Sequence, residues 1–229
     1  MRTIHTDVFQ YAELSEDAQS KARDWLREAM AGDNDFSEST TDDFRELLAA
    51  LGFTVDAKRG ISWSGFSSQG DGASFEGIWN AEQCKPQALL ADRPALYKDA
   101  QGNMQTSEHN QAWHCAAAPI IELAKEFPKA SASITARDNR YSHSMTMRLG
   151  ESYDFQELWA GVDYGSAEWK KHDSINDAAG KRFIEAARDL ANVFYKNLEA
   201  EWEYQNADAQ IAESIQANEY EFDIGGKRI

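Results

Sequence analysis

Two clusters in this chain have the residue types and spacing to hold a ligand. The first is Ser67, Ser68, Gln69, Gly70, Asp71 and Gly72, a polar tip between two apolar, aromatic-rich runs over residues 61–79. A turn rich in Gly and Ser exposes backbone N–H groups that form an anion-binding nest, with hydroxyls as further donors. Gln69 suits an amide or a base edge. Asp71 suits a sugar hydroxyl, an amine or a metal ion. The same residues also make an ordinary tight turn, in which glycines supply positive φ and Asp71 satisfies nearby backbone donors. No Gly-Lys-Ser/Thr follows, so this is not a Walker loop. A hairpin is also the wrong setting for a dinucleotide fingerprint.

The second cluster is Arg137, Arg140, Tyr141, His143 and Arg148. Residues 131–150 hold three Arg and one acid, Asp138, so basic charge concentrates locally in a chain of net charge −16. The Arg fork matches phosphate and carboxylate. Folded against the first cluster, these residues would suit a nucleotide-like anion. Alternatively the arginines pair with the chain's own acids. His143 alternates with apolar neighbours and reads as a hydrogen-bonded, partly buried side chain rather than a base.

A third feature is acidic. Glu199, Glu201, Glu203, Asp208, Glu213, Glu219, Glu221 and Asp223 occur with no Lys or Arg from 199 to 223. This run is either a docking surface for a basic partner protein or a solvated face. Catalytic patterns are missing: there is no Gly-x-Ser-x-Gly, no His-Glu-x-x-His and no Cys-x-x-Cys. His109 and His114 are five apart and do not share a helix face. Cys115 lies in an Ala-rich helical run and reads as an inert buried thiol. No catalytic residue, metal ligand or cofactor is therefore expected.

The 39 acidic and 23 basic side chains of this 229-residue chain disfavour duplex DNA and anionic membrane. No apolar run reaches the roughly 20 residues that span a bilayer. The N-terminus lacks the apolar core of a signal peptide. Cys84 and Cys115 alone imply no disulfide framework, which points to a reducing cytoplasm, although a single bridge between them stays open. Homo-oligomer formation is left open.

These residues must be positioned by helices and short strands. Ser15 caps a helix whose apolar face is Ala18, Ala22, Trp25, Leu26, Ala29 and Met30, with Gly32 at its end. Thr40 or Thr41 caps a second helix with Phe44, Leu47, Leu48 and Leu51 as its stripe and Gly52 as its stop. Residues 61–66 and 73–79 form a hairpin around the polar tip. Gly65 and Gly77 mark a bulge or a close backbone approach. Residues 80–109 read as short helical pieces and loops. A helix over 110–127 ends at Pro128, with Pro119 able to kink or split it. Residues 131–137 and 140–149 form a second hairpin through Asp138 and Asn139, placing Tyr141, His143, Met145, Met147 and Leu149 on one face. Ser174 caps a long helix over about 176–204, a shorter one covers 208–217, and residues 220–224 form a last strand. One α+β domain over 1–229 is expected, with a small antiparallel sheet of two hairpins and a terminal strand packed against helices.

The segments Trp63-Ser-Gly-Phe-Ser-Ser-Gln-Gly-Asp-Gly-Ala-Ser-Phe75, Tyr141-Ser-His-Ser-Met145 and Glu219-Tyr-Glu-Phe222 resemble a group of bacteriophage and prophage proteins of unknown function. Some of these are labelled antitoxin of a toxin–antitoxin stability system. The resemblance covers most of the chain and brings no catalytic assignment. It implies a phage accessory protein in the host cytoplasm that neutralises a bacterial defence or toxin component by binding. The partner is then a protein, met through Glu199, Glu201, Glu203, Glu219 and Glu221, or a nucleotide-type signal held at residues 67–72 and the Arg-rich strand. A third reading is an enzyme that modifies or hydrolyses a nucleotide with Asp71 and His143.

Overall fold

The computed structural model describes residues 7–32, 34–98, 103–136, 142–156 and 162–229. In chain order the elements are β1 (Phe9–Gln10), α1 (Glu16–Ala29), α2 (Phe36–Ala50), β2 (Phe53–Val55), β3 (Ile61–Ser64), β4 (Gly72–Phe75), β5 (Gly77–Asn80), α3 (Gln87–Asp92), β6 (Leu96–Lys98), β7 (Met104–Thr106), α4 (Glu108–Glu126), β8 (Ser131–Ala136), β9 (Met147–Asp154), α5 (Ala167–Asn206), α6 (Asp208–Ala217) and β10 (Glu221–Phe222). The fold is α+β, with small antiparallel sheets packed against helices. Among the described residues no helix is long and apolar enough to cross a membrane.

The chain forms two compact units, residues 1–38 with 198–229, and residues 39–197. In the first, Ser15 Oγ accepts from Ala18 N at 3.3 Å and caps α1 as its sequence predicts. Ala18, Ala22 and Leu26 of α1 are buried with Ile211 and Ile215 of α6 and with Phe222 of β10. The terminal strand is shorter than expected and pairs with β1, not with the main sheet. A two-residue strand such as β1 leaves no readable periodicity.

The second unit carries a four-stranded antiparallel sheet in the order β2-β5-β8-β9 and a separate β3–β4 ribbon. Phe44 of α2 stacks on Phe194 of α5 at 4.4 Å and meets Phe75 of β4 edge-on at 5.7 Å. Trp79, Phe183 and Leu190 are fully or almost fully buried beside them. Gly52 ends α2 with φ +92°, the left-handed stop its sequence position predicts.

Several boundaries move. α2 begins at Phe36, before either threonine, because Asn34 O already accepts from both Ser37 N and Ser37 Oγ. α5 begins at Ala167, because Ser166 Oγ caps Trp169 N at 3.1 Å and Ser174 falls inside the helix. α4 runs on through Pro119 as one helix. Residues 96–98 and 104–106 pair as the antiparallel strands β6 and β7 where only loops and helical pieces were expected. The expected return strand over 73–79 is two strands. It breaks at Glu76, whose N–H donates to Gly60 O at 2.8 Å, so β4 stays with β3 while β5 joins β2 and β8. Gly77 is the expected close approach: a Cβ there would lie 2.6 Å from Thr54 O.

The second hairpin also differs. Its return arm, β9, starts at Met147, after a 3-10 turn over Ser144–Thr146 that His143 caps. That turn breaks the alternation, so Met145 is 61% exposed while Met147 is fully buried. Asp138 and Asn139 lie outside the described residues.

Candidate functional site

The register of the β3–β4 ribbon pairs Ser62 with Ser74 and Ser64 with Gly72. Directly paired residues share a face, so Ser62, Ser64, Ser74 and Gly72 line one side. Ala73 and Phe75 take the other and are buried. Against the polar side lies a cavity of about 400 Å³, lined by Lys58, Arg59, Ser62, Ser74, Glu76 and Ser142 among others. That volume is within the roughly 300–1,000 Å³ typical of small-molecule sites.

Each wall is held by local hydrogen bonds. Asp56 accepts from Arg59 N at 2.8 Å and Lys58 N at 2.9 Å, which fixes the turn carrying both cations. These two N–H bonds hold the Asp56 carboxyl below its usual range. Gly60 N closes the turn onto Asp56 O at 3.0 Å. Glu76 Oε1 accepts from Ala136 N at 3.2 Å, tying the ribbon to β8. Ser142 and His143 press on Gly72: a Cβ there would lie 2.9 Å from His143 Cδ2 and 3.1 Å from Ser142 O. His143 Nδ1 accepts from Met145 N at 3.0 Å, so the neutral ring carries its proton on Nε2. Arg148 Nη1 donates to Met145 O at 2.6 Å and to Met147 O at 3.1 Å, clasping the same turn.

The glycine–serine tip is built as a turn. Asp71 Oδ2 accepts from Ser68 N at 2.6 Å and Ser67 N at 3.0 Å. Two of the backbone donors that an anion nest would offer, Ser67 N and Ser68 N, are therefore taken by the chain's own carboxylate. Gly70 has φ +105°, as a left-handed turn position requires. Gly65 O accepts from Tyr195 Oη at 2.7 Å, and Phe66 packs between Trp63 and Tyr195 at 5.7 and 5.5 Å. Ser67, Ser68 and Gln69 are exposed. Asp71→Ala is expected to lower stability by about 1 kcal/mol through these two lost acceptor contacts. Asp71→Asn, which keeps one acceptor oxygen, should recover part of it in urea denaturation. Equal stability of all three proteins would show that the turn does not depend on the carboxylate.

Of the residues singled out from sequence, the structure brings Gly72 and His143 together. Ser67, Ser68, Gln69, Gly70 and Asp71 form the tip of the ribbon. Arg137, Arg140 and Tyr141 lie outside the described residues. Lys58, Arg59, Ser62, Ser74 and Glu76 were not foreseen. A signal existed: Lys58 and Arg59 are the sole basic residues between Arg45 and Lys85, directly before the hairpin.

The acidic C-terminal run is dispersed. On α5, Glu199 and Glu203 are one helical turn apart, while Glu201 projects from the opposite side. Glu201 accepts from Gln205 Nε2 at 2.8 Å. Asp208 pairs with Arg27 and with Arg23, the latter at 3.4 Å, and the Arg27 hydrogen bond is the main cause of its lowered pKa. Glu219 and Glu221 are exposed, but the Arg228 guanidinium lies 4.9 Å from the Tyr220 ring between them and donates to Glu221 O at 3.0 Å. Arg23 and Arg27, distant in sequence, and Arg228, just beyond the run, thus sit beside its residues.

Other candidates are structural. Both cysteines are free thiols. Cys115 is exposed on α4, contrary to the buried thiol its Ala-rich neighbours suggest, because it lies off the Trp113–Ala117–Ile120 face. Burial pushes the half-buried Cys84 thiol up. His114 Nε2 donates to Arg93 O at 2.9 Å, and burial lowers the His109 pKa. Among the described residues no three His, Cys, Asp or Glu side chains gather as metal ligands.

Residues 36–208 match the family described as a domain of unknown function (DUF8835), and the chain belongs to that family. No curated protein and no solved structure matched it.

Proposed function

We propose that this member of the family is a non-enzymatic binding protein that holds a small, nucleotide-type anion in the β3–β4 cavity. The cavity itself is the observation that carries this reading. Two cations on a braced turn face the serine-lined side of the ribbon, in a volume suited to a small ligand. Charge-assisted contacts from Lys and Arg with hydroxyl donors are a standard means of holding phosphate. The groups an enzyme reading would use are already committed. Asp71 serves Ser67 N and Ser68 N, and the His143 Nδ1 lone pair serves Met145 N. In a bacterial cytoplasm such a protein acts as a sponge, withdrawing a nucleotide-derived signal from a defence pathway, as the likeness to phage and prophage proteins implies. Capture of a basic protein by the acidic run is the weaker reading, because those carboxylates face several directions and lie among Arg side chains.

Titration calorimetry of the full chain with cyclic oligonucleotides, mononucleotides and ADP-ribose derivatives tests the proposal. At least one should bind, and Lys58→Glu with Arg59→Glu should weaken it a hundredfold or more, about 1.4 kcal/mol or more per contact. Ligand recovered unchanged by mass spectrometry fits a binding protein. Silence across the panel, or an unaffected double variant, would overturn it.

A further inference from the structure

Glu76 lines the cavity as an acidic side chain that anion binding does not use. A carboxylate beside Lys58 and Arg59 weakens the attraction for phosphate. It is nevertheless fixed in place at both ends. Its backbone N–H donates to Gly60 O at 2.8 Å, and its Oε1 accepts from Ala136 N at 3.2 Å. The chain bends there from β4 into β5, so the side chain leaves the ribbon at the cavity rim and remains exposed. Among the described residues no Lys or Arg forms an ion pair with it. Among the described residues its one side-chain hydrogen bond is at Oε1, which places Oε2 as the acceptor to meet a donor in the cavity that Glu76 lines.

We infer that Glu76 sets specificity in this cavity, accepting a hydrogen bond from an exocyclic amine on the base of a bound nucleotide. The inference rests on the anion-binding reading above and names the ligand class within it. A carboxylate held by a backbone N–H is already oriented and loses little freedom on meeting a donor. It matches an amino group and disfavours a carbonyl oxygen at the same place, so it discriminates by repulsion as well as attraction. Acidic side chains read amino groups of bases in this way. Lys58 and Arg59 supply affinity for the phosphate, and Glu76 selects among phosphorylated ligands.

The experiment uses the full chain, with adenosine, guanosine and inosine 5′-monophosphates as probes and inorganic phosphate as competitor. Inosine lacks the exocyclic amine that each of the other two bases carries. The wild type should prefer one or both amino-bearing nucleotides to inosine monophosphate about tenfold, the size of one hydrogen bond to a charged group. Glu76→Gln keeps an acceptor for Ala136 N and replaces the other oxygen by a donor. It should therefore fold normally, bind inosine monophosphate better and lose the preference. If all three nucleotides bind alike and phosphate displaces them, the role of Glu76 is overturned while the anion site stands. That role also falls, with the anion site intact, if the preference persists in Glu76→Gln or if that variant tightens all three equally. If neither these nucleotides nor phosphate nor the wider panel binds, both readings fail.

Discussion

Trp79→Ala is expected to lower the stability of the 39–197 unit by about 3–5 kcal/mol, the largest loss from a single truncation in this protein. Trp79 sits in β5, a strand hydrogen-bonded on both sides, opposite Phe53 of β2 and Ala132 of β8. Its side chain is completely buried, with ring centroids 5.0 Å from Phe183 and 6.0 Å from Phe155. Truncation removes the bridge between the sheet and α5 and leaves a void that three rigid rings cannot collapse to fill. A second loss accompanies it. Trp79 Nε1 donates to Leu51 O at 2.9 Å inside the core, and Leu51 is in the last turn before the Gly52 stop. Trp79→Phe keeps an aromatic ring while removing the donor together with part of the indole's buried volume. It should cost about 1–3 kcal/mol. Urea unfolding followed by circular dichroism should rank wild type above Phe above Ala. A Phe variant as stable as wild type would show that the indole hydrogen bond contributes nothing.

The same residue shows how much was legible in the sequence. Trp79 falls in an alternating run, and its burial with Ala73 and Phe75 follows from period-two patterning alone. The turn at Glu76 does not. It depends on Gly60 O, sixteen positions earlier, and a contact at that separation leaves no mark on local periodicity. Helices fared better. α1 and α6 have the residues that their apolar spacing and flanks predict, whereas α2 starts early because Asn34 O takes up Ser37 N and Oγ, and α5 because Ser166 caps it ahead of the equally plausible Ser174. The site divides along the same line. The Gly/Ser tip was visible because its composition is unusual, but composition does not distinguish a nest open to anions from a turn filled by its own aspartate. Only the Asp71 contacts to Ser67 N and Ser68 N decide that. The cavity itself was illegible for a different reason. Its walls come from residues 58–62, 74–76, 136 and 142, none notable alone, and they meet through strand pairing across gaps of twelve to about eighty positions.

Gly72 links fold and site, and its replacement should affect both. Gly72→Val puts a β-branched residue into a strand, where backbone preference favours it. Any loss therefore reports the contact across from it. That contact is tight: the first added carbon would lie 2.9 Å from His143 Cδ2, 3.1 Å from Ser142 O and 3.2 Å from His143 Cα. Two of these are backbone atoms, so rotating the imidazole away does not relieve the crowding. The 142–143 segment must move, against the bonds from Met145 N to His143 Nδ1 and from Thr146 N and Oγ1 to His143 O. Overpacking of this kind costs about 1–3 kcal/mol. Because Ser142 lines the cavity beside Ser74, its displacement should also weaken the bound anion about tenfold, the equivalent of one lost hydrogen bond. Ile134→Val in β8 serves as control. It removes one methylene from a buried side chain away from the cavity wall and should cost about 0.5–1.5 kcal/mol with affinity intact. Affinity falling in Gly72→Val and holding in Ile134→Val ties Ser142 to the ligand. Equal affinities in the two variants, with Gly72→Val the less stable, would confine the Gly72 contact to folding and leave Lys58, Arg59, Ser62 and Ser74 to hold the anion without that wall.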